Sequence, residues 1–372
     1  MVTVAPAGFP LWLAVATAGR PRPAPPTPSA WPGISVVIAA YREAAVIGAK
    51  IDDVRRNGYP GELEIIIVAD DPDSADRARD AGARVIGPGE RQGKASAVNR
   101  GVAAASQPIV VLTDADAHLD GGSLAALARW FADDRIGAVA GEKRVAGMGQ
   151  SLYWRFESWI KERESRLGTT IGLVGELAAF RRSTFRPVPI DVVVDDLWIG
   201  LDVVEDGMQV RYEPDAVAVE TGVDTLAAEW QRRTRTQAGL IDLLWRRRGM
   251  LVPRASPVAA QLWGHKLMRT VFGPIAHALL LLSAAARVRS SRISRILLAA
   301  HLAAAIALWR STRGARLSRP EQAAVQVLFM QATALGAIWR YITGDRPSSW
   351  PKPERMETSG RVFDGPWPDQ SN

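Results

Sequence analysis

Residues 109–116 read IVVLTDAD, and the fold turns on how this stretch is understood. Its first residues form an apolar, largely β-branched run with no polar alternation, the pattern of a strand buried on both faces of a parallel sheet. At its C-terminal end it delivers two carboxylates, Asp114 and Asp116, spaced i and i+2. Open α/β sheets bind their ligands at that edge. Residues two apart on extended backbone point the same way, so the pair can share one hard divalent cation with the oxygens of a substrate phosphate. A solvated turn after a strand fits the same two aspartates, and the segments around them are needed to separate the two readings.

Working outward, residues 33–40 (GISVVIAA) and 63–69 (LEIIIVA) repeat the continuous apolar pattern, and 84–86 form a brief third run. Helical spacing over 43–56, 74–81 and 92–105 separates these strands. Such alternation predicts a mostly parallel sheet with helices on both faces. Tyr41, Asp70, Asp114 and Asp116 then fall along one rim. Further on, the sequence predicts a helix over 123–131, a strand over 136–141, an aromatic-rich amphipathic helix over 150–167 and a helix opening at Asp195. A strand over 209–213 and a further segment over 216–220 lead into a long helix over 225–248 with two arginine clusters.

The chain has 372 residues and no cysteine, which removes disulfides, thiolate zinc sites and cysteine nucleophiles. Lysine and arginine total 46 against 39 acids, a net charge of +7, and the excess is uneven. Between Arg287 and Pro320 there are eight arginines and no acid. The apolar runs between them point to lipid headgroups, and no recognised nucleic-acid motif accompanies the charge. Three apolar segments, 271–286, 296–309 and 323–342, follow; only the last meets the roughly 20 residues a spanning helix needs. Residues 9–18 are a shorter apolar run that suits an interfacial anchor or the tail of a spanning helix. The expected divisions are an N-terminal segment and Pro/Arg-rich linker (1–32), a catalytic domain (33–250), membrane-associated helices (260–345) and a polar tail (346–372). A chain ending near Pro257 is expected to leave the membrane.

The series AAYRE (39–43), VADD (68–71), GKASAVN (93–99), TDAD (113–116), GELAAFRR (175–182), VVDD (193–196) and QRRTR (231–235), followed by apolar helices and by Trp350-Pro351-x-Pro-x-Arg355, resembles the membrane-associated members of glycosyltransferase family 2. That resemblance implies a GT-A fold, a nucleotide-diphosphate sugar donor of the UDP type, a divalent metal (Mg2+ or Mn2+) and inversion at the anomeric carbon. It implies that Asp196 is the catalytic base and that Ala40, Tyr41, Glu43, Asp70, Lys94, Asp114, Arg233 and Arg235 face the donor. Asp116, with Asp114, would hold the metal, and Gly175, Glu176 and Asp195 would lie on the acceptor side. The acceptor is expected to be lipid-linked or a saccharide near the membrane, and the location the cytoplasmic membrane with the catalytic domain on its cytoplasmic face.

Elementary chemistry stands beside each assignment. A cation that neutralises a departing diphosphate stabilises the transition state, and inverting transfer needs one carboxylate to take the acceptor's proton. Asp70 also fits a cap for the helix at Ser74, Asn99 a helix-face contact, His118 a loop histidine, and Asp195 and Asp196 a complement to a helix N-terminus. Two departures from the family pattern stand out. Arg42 occupies the usual asparagine position, and the Gln-x-x-Arg-Trp signature of processive polymerases has lost its tryptophan, which argues for adding one or a few sugars. The competing reading is a catalytically silent sugar-nucleotide-binding scaffold in a membrane polysaccharide-assembly complex.

Overall fold

The computed structural model describes residues 4–87, 91–146, 152–221 and 225–345; Trp350, Arg355 and the rest of the polar tail lie outside them. The strands are β1 (Ile34–Ala40), β2 (Leu63–Ala69), β3 (Arg84–Ile86), β4 (Ile109–Thr113), β5 (Ala117–Leu119), β6 (Ile136–Ala146), β7 (Leu177–Arg181) and β8 (Gln209–Thr221). They form one sheet in the order β3-β2-β1-β4-β7-β6-β8-β5. Pairings among β3, β2, β1 and β4, and between β6 and β8, are parallel. Those of β7 with β4 and β6, and of β5 with β8, are antiparallel. The predicted parallel half is therefore present, and the two strands that sequence reading missed, β5 and β7, bring the antiparallel pairings.

Helices α1 (Val4–Ala16), α2 (Ala44–Arg56), α3 (Pro72–Asp80), α4 (Lys94–Ala104), α5 (Ser123–Ala128), α6 (Leu152–Arg166), α7 (Asp195–Glu205) and α8 (Leu226–Arg246) surround or follow the sheet. The two-residue period of β1 divides its side chains between two cores. Val36 and Ile38 pack with Ile47 and Ile51 of α2 on one face, while Val37 joins Val98 of α4 and Leu197 of α7 on the other. Cutting a fully buried residue such as Ile51 to alanine would cost about 2–5 kcal/mol.

After β1 the chain runs outward through β2 and β3, then returns to place β4 on the other side of β1. That reversal opens a crevice at the C-terminal ends of β1 and β4, the place where doubly wound sheets take their ligands. The turn after β1 is pinned by α3: Asp71 caps that helix by accepting from the Ser74 amide (2.9 Å) and also accepts from the Arg42 amide (2.7 Å). The cap is thus Asp71, which leaves Asp70 for the crevice. Arg42 has φ 55°, the one non-glycine residue with positive φ among those described. Asparagine tolerates that conformation and β-branched residues do not. Arg42→Val is therefore expected to cost about 1–2 kcal/mol and Arg42→Asn nothing measurable, as read from thermal unfolding in detergent; equal losses would show that the strain is not at this residue.

Three helices are long and apolar enough to cross a membrane: α9 (Ala259–Ala286, 28 residues), α10 (Arg292–Ser311, 20 residues) and α11 (Arg319–Thr343, 25 residues). α10 and α11 outrun the apolar segments because their N-caps sit in the arginine-rich flanks, whereas α9 starts twelve residues before its segment, at Ala259. Ser291 accepts from the Ser294 amide (3.2 Å) to start α10, and Ser318 with Glu321 forms a capping box that starts α11. Residues Leu262–Phe272 of α9 are wound as a π-helix. Gly264 in that segment lies against Phe9, so close that a Cβ would stand 2.2 Å from its ring. The N-terminal apolar run is thus docked on α9, with Leu13 buried and Leu11, Trp12 and Val15 exposed.

Candidate active site

A cleft of about 560 Å³ opens at the crevice and continues toward α9 and α11. It is lined by Ala40, Tyr41, Glu43 and Asp70 from the ends of β1 and β2, by Lys94, Asp114 and Asp116, by Gly175 and Glu176, by Asp195 and Asp196, and by Arg235. One residue of the sequence-predicted set, Arg233, is not brought there. On α8 it pairs with Glu229 and lies over the Tyr153 ring at 5.3 Å. Arg232 and Arg235, one turn of helix apart, face the cleft in its place.

β4 ends at Thr113, so Asp114 and Asp116 sit on the short turn into β5. Lys94 is the first residue of α4, after Gly93 with φ 92°, a backbone that favours glycine. Its Nζ lies 2.6 Å from Asp114 Oδ1, and the free amides of the helix start add to the positive field. Burial, with the carboxylates of Glu176 and Asp116 nearby, pushes the Asp114 carboxyl up to about 6 despite Lys94. Three carboxylates, Asp114, Asp116 and Glu176, thus stand close together at this rim, which fits a divalent cation. No group of three His, Asp or Glu among the described residues is placed to hold a metal by itself. Asp116, with Asp114 already engaged by Lys94, would supply the protein's oxygen ligand, and donor phosphate oxygens would complete the set.

Asp195 and Asp196 open α7, where the helix field favours carboxylates. Asp196 Oδ1 accepts from the Leu197 amide at 2.7 Å. Burial, then Asp195, pushes the Asp196 carboxyl up to about 7, a value suited to a general base near neutral pH. A Cβ built on Gly175 would stand 3.4 Å from Lys94 Nζ and 3.8 Å from Asp196 Oδ2, so the lysine and this carboxylate flank one point. Glu176 is paired with Lys143, which also holds Glu220. Burial would raise the Glu176 carboxyl, but Lys143 brings it down to about 2, so it is a fixed anion.

Asp70, which lines the cleft, is paired with Arg100. Arg91 lies 4.0 Å over the Tyr41 ring. Burial lowers the Arg235 guanidinium's pKa, as do the like charges of Arg340, Arg232 and Arg91, against the pull of Asp195. Arg91, Arg232 and Arg235 all line the cleft, a setting for a diphosphate. Asn99 makes two 2.8 Å hydrogen bonds to the Val188 backbone and serves the fold. His118 lies 2.6 Å from Asp53.

Lys50 was not anticipated from sequence. It lies beneath the aspartate turn with its side chain 2 % exposed, donating to Thr113 Oγ1 (3.0 Å) and to the Ala117 carbonyl (2.5 Å). Burial draws its pKa down to about 8 against the attraction of Asp53, Asp114 and Asp116. A lysine on the apolar stripe of α2, between Ile47 and Val54, was the available signal.

The family model described as Glycosyl transferase family 2 matches residues 35–188. The chain is 25% identical over 231 residues to a poly-beta-1,6-N-acetyl-D-glucosamine synthase of Staphylococcus epidermidis, a match covering 58% of this chain and 56% of that protein. It is 26% identical over 234 residues to an N-acetylglucosaminyltransferase of Rhizobium sp. (strain N33), covering 55% and 52%. The chain thus spans about half the length of the curated relatives it matches. Among solved structures, a mannosyltransferase from Pyrobaculum calidifontis in complex with GDP-Man and Mn2+ superposes with a TM-score of 0.73 at 27% identity, covering 92% of this chain and 96% of that one.

Proposed function

We propose that this chain, whose residues 35–188 match the glycosyl transferase family 2 model and whose fold is GT-A, is an inverting enzyme that moves a sugar from a nucleoside-diphosphate donor to a lipid-linked or membrane-proximal acceptor. The observation that carries this reading is the cleft itself. Asp114, Asp116, Lys94 and Arg235 gather where a metal-bound diphosphate would lie, and Asp196 stands beyond them where an acceptor hydroxyl would enter. A bound cation would draw off the charge that develops on the leaving diphosphate. Asp196 takes the acceptor proton, Lys94 and Arg235 hold the phosphates, and Glu176, fixed by Lys143, borders the acceptor.

The cleft continues to Lys266 and Thr270 of α9 and to Met330 and Gln331 of α11, which supports an acceptor that approaches from the bilayer side. The arginine-rich flanks of α10 support attachment to an anionic membrane; they lie on both sides of that helix, so the cytoplasmic placement of the catalytic domain rests on the supply of sugar nucleotides there and not on the arginines.

Two donors have specific support. The family resemblance favours a UDP-sugar, and the structural likeness that extends over the C-terminal helices favours GDP-mannose. Membranes bearing the protein, given UDP-N-acetylglucosamine, UDP-glucose or GDP-mannose with Mn2+ or Mg2+, should release UDP or GDP and label an organic-solvent extract. No release from any member of the panel would sink the proposal.

Asp116→Asn tests the metal separately. An amide is a poorer ligand for a hard cation than a carboxylate, and even residues that only support metal ligands typically cost roughly tenfold or more when changed. Donor binding by calorimetry should lose most of its Mn2+ dependence in the variant; equal dependence in variant and parent removes Asp116 from the metal site.

A further inference from the structure

We propose that Lys50 is a positioning residue that holds the Asp114–Asp116 turn in shape for the metal before the donor arrives. The ammonium bridges the two ends of the turn. One acceptor is Thr113, the last residue of β4, and the other is Ala117, the first of β5, with only the two aspartates and Ala115 between them. Fixing both ends of so short a segment leaves its carboxylates little room to move, and a metal ligand that is already in place binds more tightly than one that must be ordered.

The remaining contacts extend the clamp. Thr113 Oγ1 accepts from Lys50 and donates to the Glu176 carbonyl (2.8 Å), which ties the turn to the entry of β7. Asp53, 3.6 Å from the ammonium, accepts from the Leu119 amide (3.0 Å) and faces His118, so the far side of β5 is tied to α2 as well. Burying an ammonium in α2 carries a desolvation penalty that leucine or methionine would avoid. The stripe around Lys50 is otherwise filled by Ile47, Ile51 and Val54, all fully buried. A cation at this one position gains by reaching three acceptors around the aspartates, and its charge moderates the repulsion between them.

The inference rests on Asp116 as the metal's ligand, and Asp116→Asn keeps the two claims apart. The probe is Mn2+, titrated into the detergent-solubilised full chain with saturating UDP or GDP and followed by the electron paramagnetic resonance of free Mn2+. If Asp116→Asn leaves Mn2+ affinity unchanged, the metal assignment fails and Lys50 falls with it. If that variant loses Mn2+, Lys50→Met should bind it at least tenfold more weakly than the parent, while nucleoside diphosphate in EDTA binds as before. A folded Lys50→Met protein with Mn2+ affinity within twofold of the parent overturns the proposal. Should Lys50→Met not fold, Thr113→Val decides: it removes one acceptor of the clamp and should weaken Mn2+ several-fold, and unchanged affinity overturns the proposal too.

Discussion

Asp196→Asn is expected to lower sugar transfer by a factor on the order of 10² or more while donor affinity stays within about threefold. In the proposed arrangement, the groups that would face the donor's phosphates are Lys94, Arg235 and a metal held at Asp116. A base that acts on the acceptor hydroxyl contributes in the transition state and little in the ground state, so its loss appears in turnover rather than in binding. Asn keeps the size and can still accept from the Leu197 amide, so α7 should start where it does now. The pH profile is a second readout. Burial and Asp195 hold the Asp196 carboxyl at about 7. Below that pH the base is protonated, and kcat/KM at low donor concentration should fall about tenfold per pH unit. A flat profile down to pH 5.5, or parental transfer by Asp196→Asn, would place the base elsewhere. A parent that binds donor and transfers nothing to any membrane extract would favour the silent scaffold.

His265→Leu is expected to destabilise the protein by about 3–5 kcal/mol, a large part of the 5–15 kcal/mol typical of a folded domain. His265 sits in the π-helical part of α9 with both ring nitrogens on carboxylates: Nε2 is 2.9 Å from Glu157 and Nδ1 is 3.0 Å from Glu164, both on α6. Glu164 has no exposed side-chain surface, and Glu157 is paired with Arg269 of α9 as well. Burial would raise the Glu157 carboxyl, but Arg269 and His265 pull it well below the usual range. Removing the imidazole leaves two buried acids short of a partner. Leu262, also on α9, belongs to the same apolar core as Val98 and Leu243. A chain ending near Pro257 should therefore lose Leu262, His265 and Arg269 together and aggregate, rather than leave the membrane as a folded domain. Fluorescence-detected size exclusion after heating in detergent measures both effects. A soluble, monodisperse truncation would show that α9 is dispensable to the core.

β1, β2 and β4 were legible because each is covered on both faces over most of its length, so apart from Ser35, Glu64 and the terminal Thr113 their residues are apolar. β7 was hidden for a different reason. LAAFR is short, and alanines fit a helix as well as a strand, so only the tertiary pairing with β4 and β6 decides its state. The site read well wherever a residue follows a strand or opens a helix, since position along the chain then fixes where the side chain goes. It read poorly on α8, where a shift of one residue turns the side chain by about 100°, which is why Arg233 was expected in the cleft that Arg232 lines. Lys50 escaped because charge on a helix is ordinarily solvated, and only its partners 63 and 67 residues away give it a place inside.

The sheet order has a consequence for synthesis on the ribosome. β4 hydrogen-bonds on one side to β1, which is already made, and on the other to β7, which ends at Arg181. At about 5–20 residues per second, that open edge waits roughly 3–14 seconds for its partner. During this time a fully apolar strand presents unpaired backbone to any other nascent chain, and such edges template aggregation. The last pieces of this core, Val258 and Leu262, arrive only with the start of α9, the first of the three helices long and apolar enough to cross a membrane. Slowed translation between Thr113 and Arg181, or delayed delivery of α9 to the insertion machinery, would therefore lower the yield of folded protein without changing a single native contact.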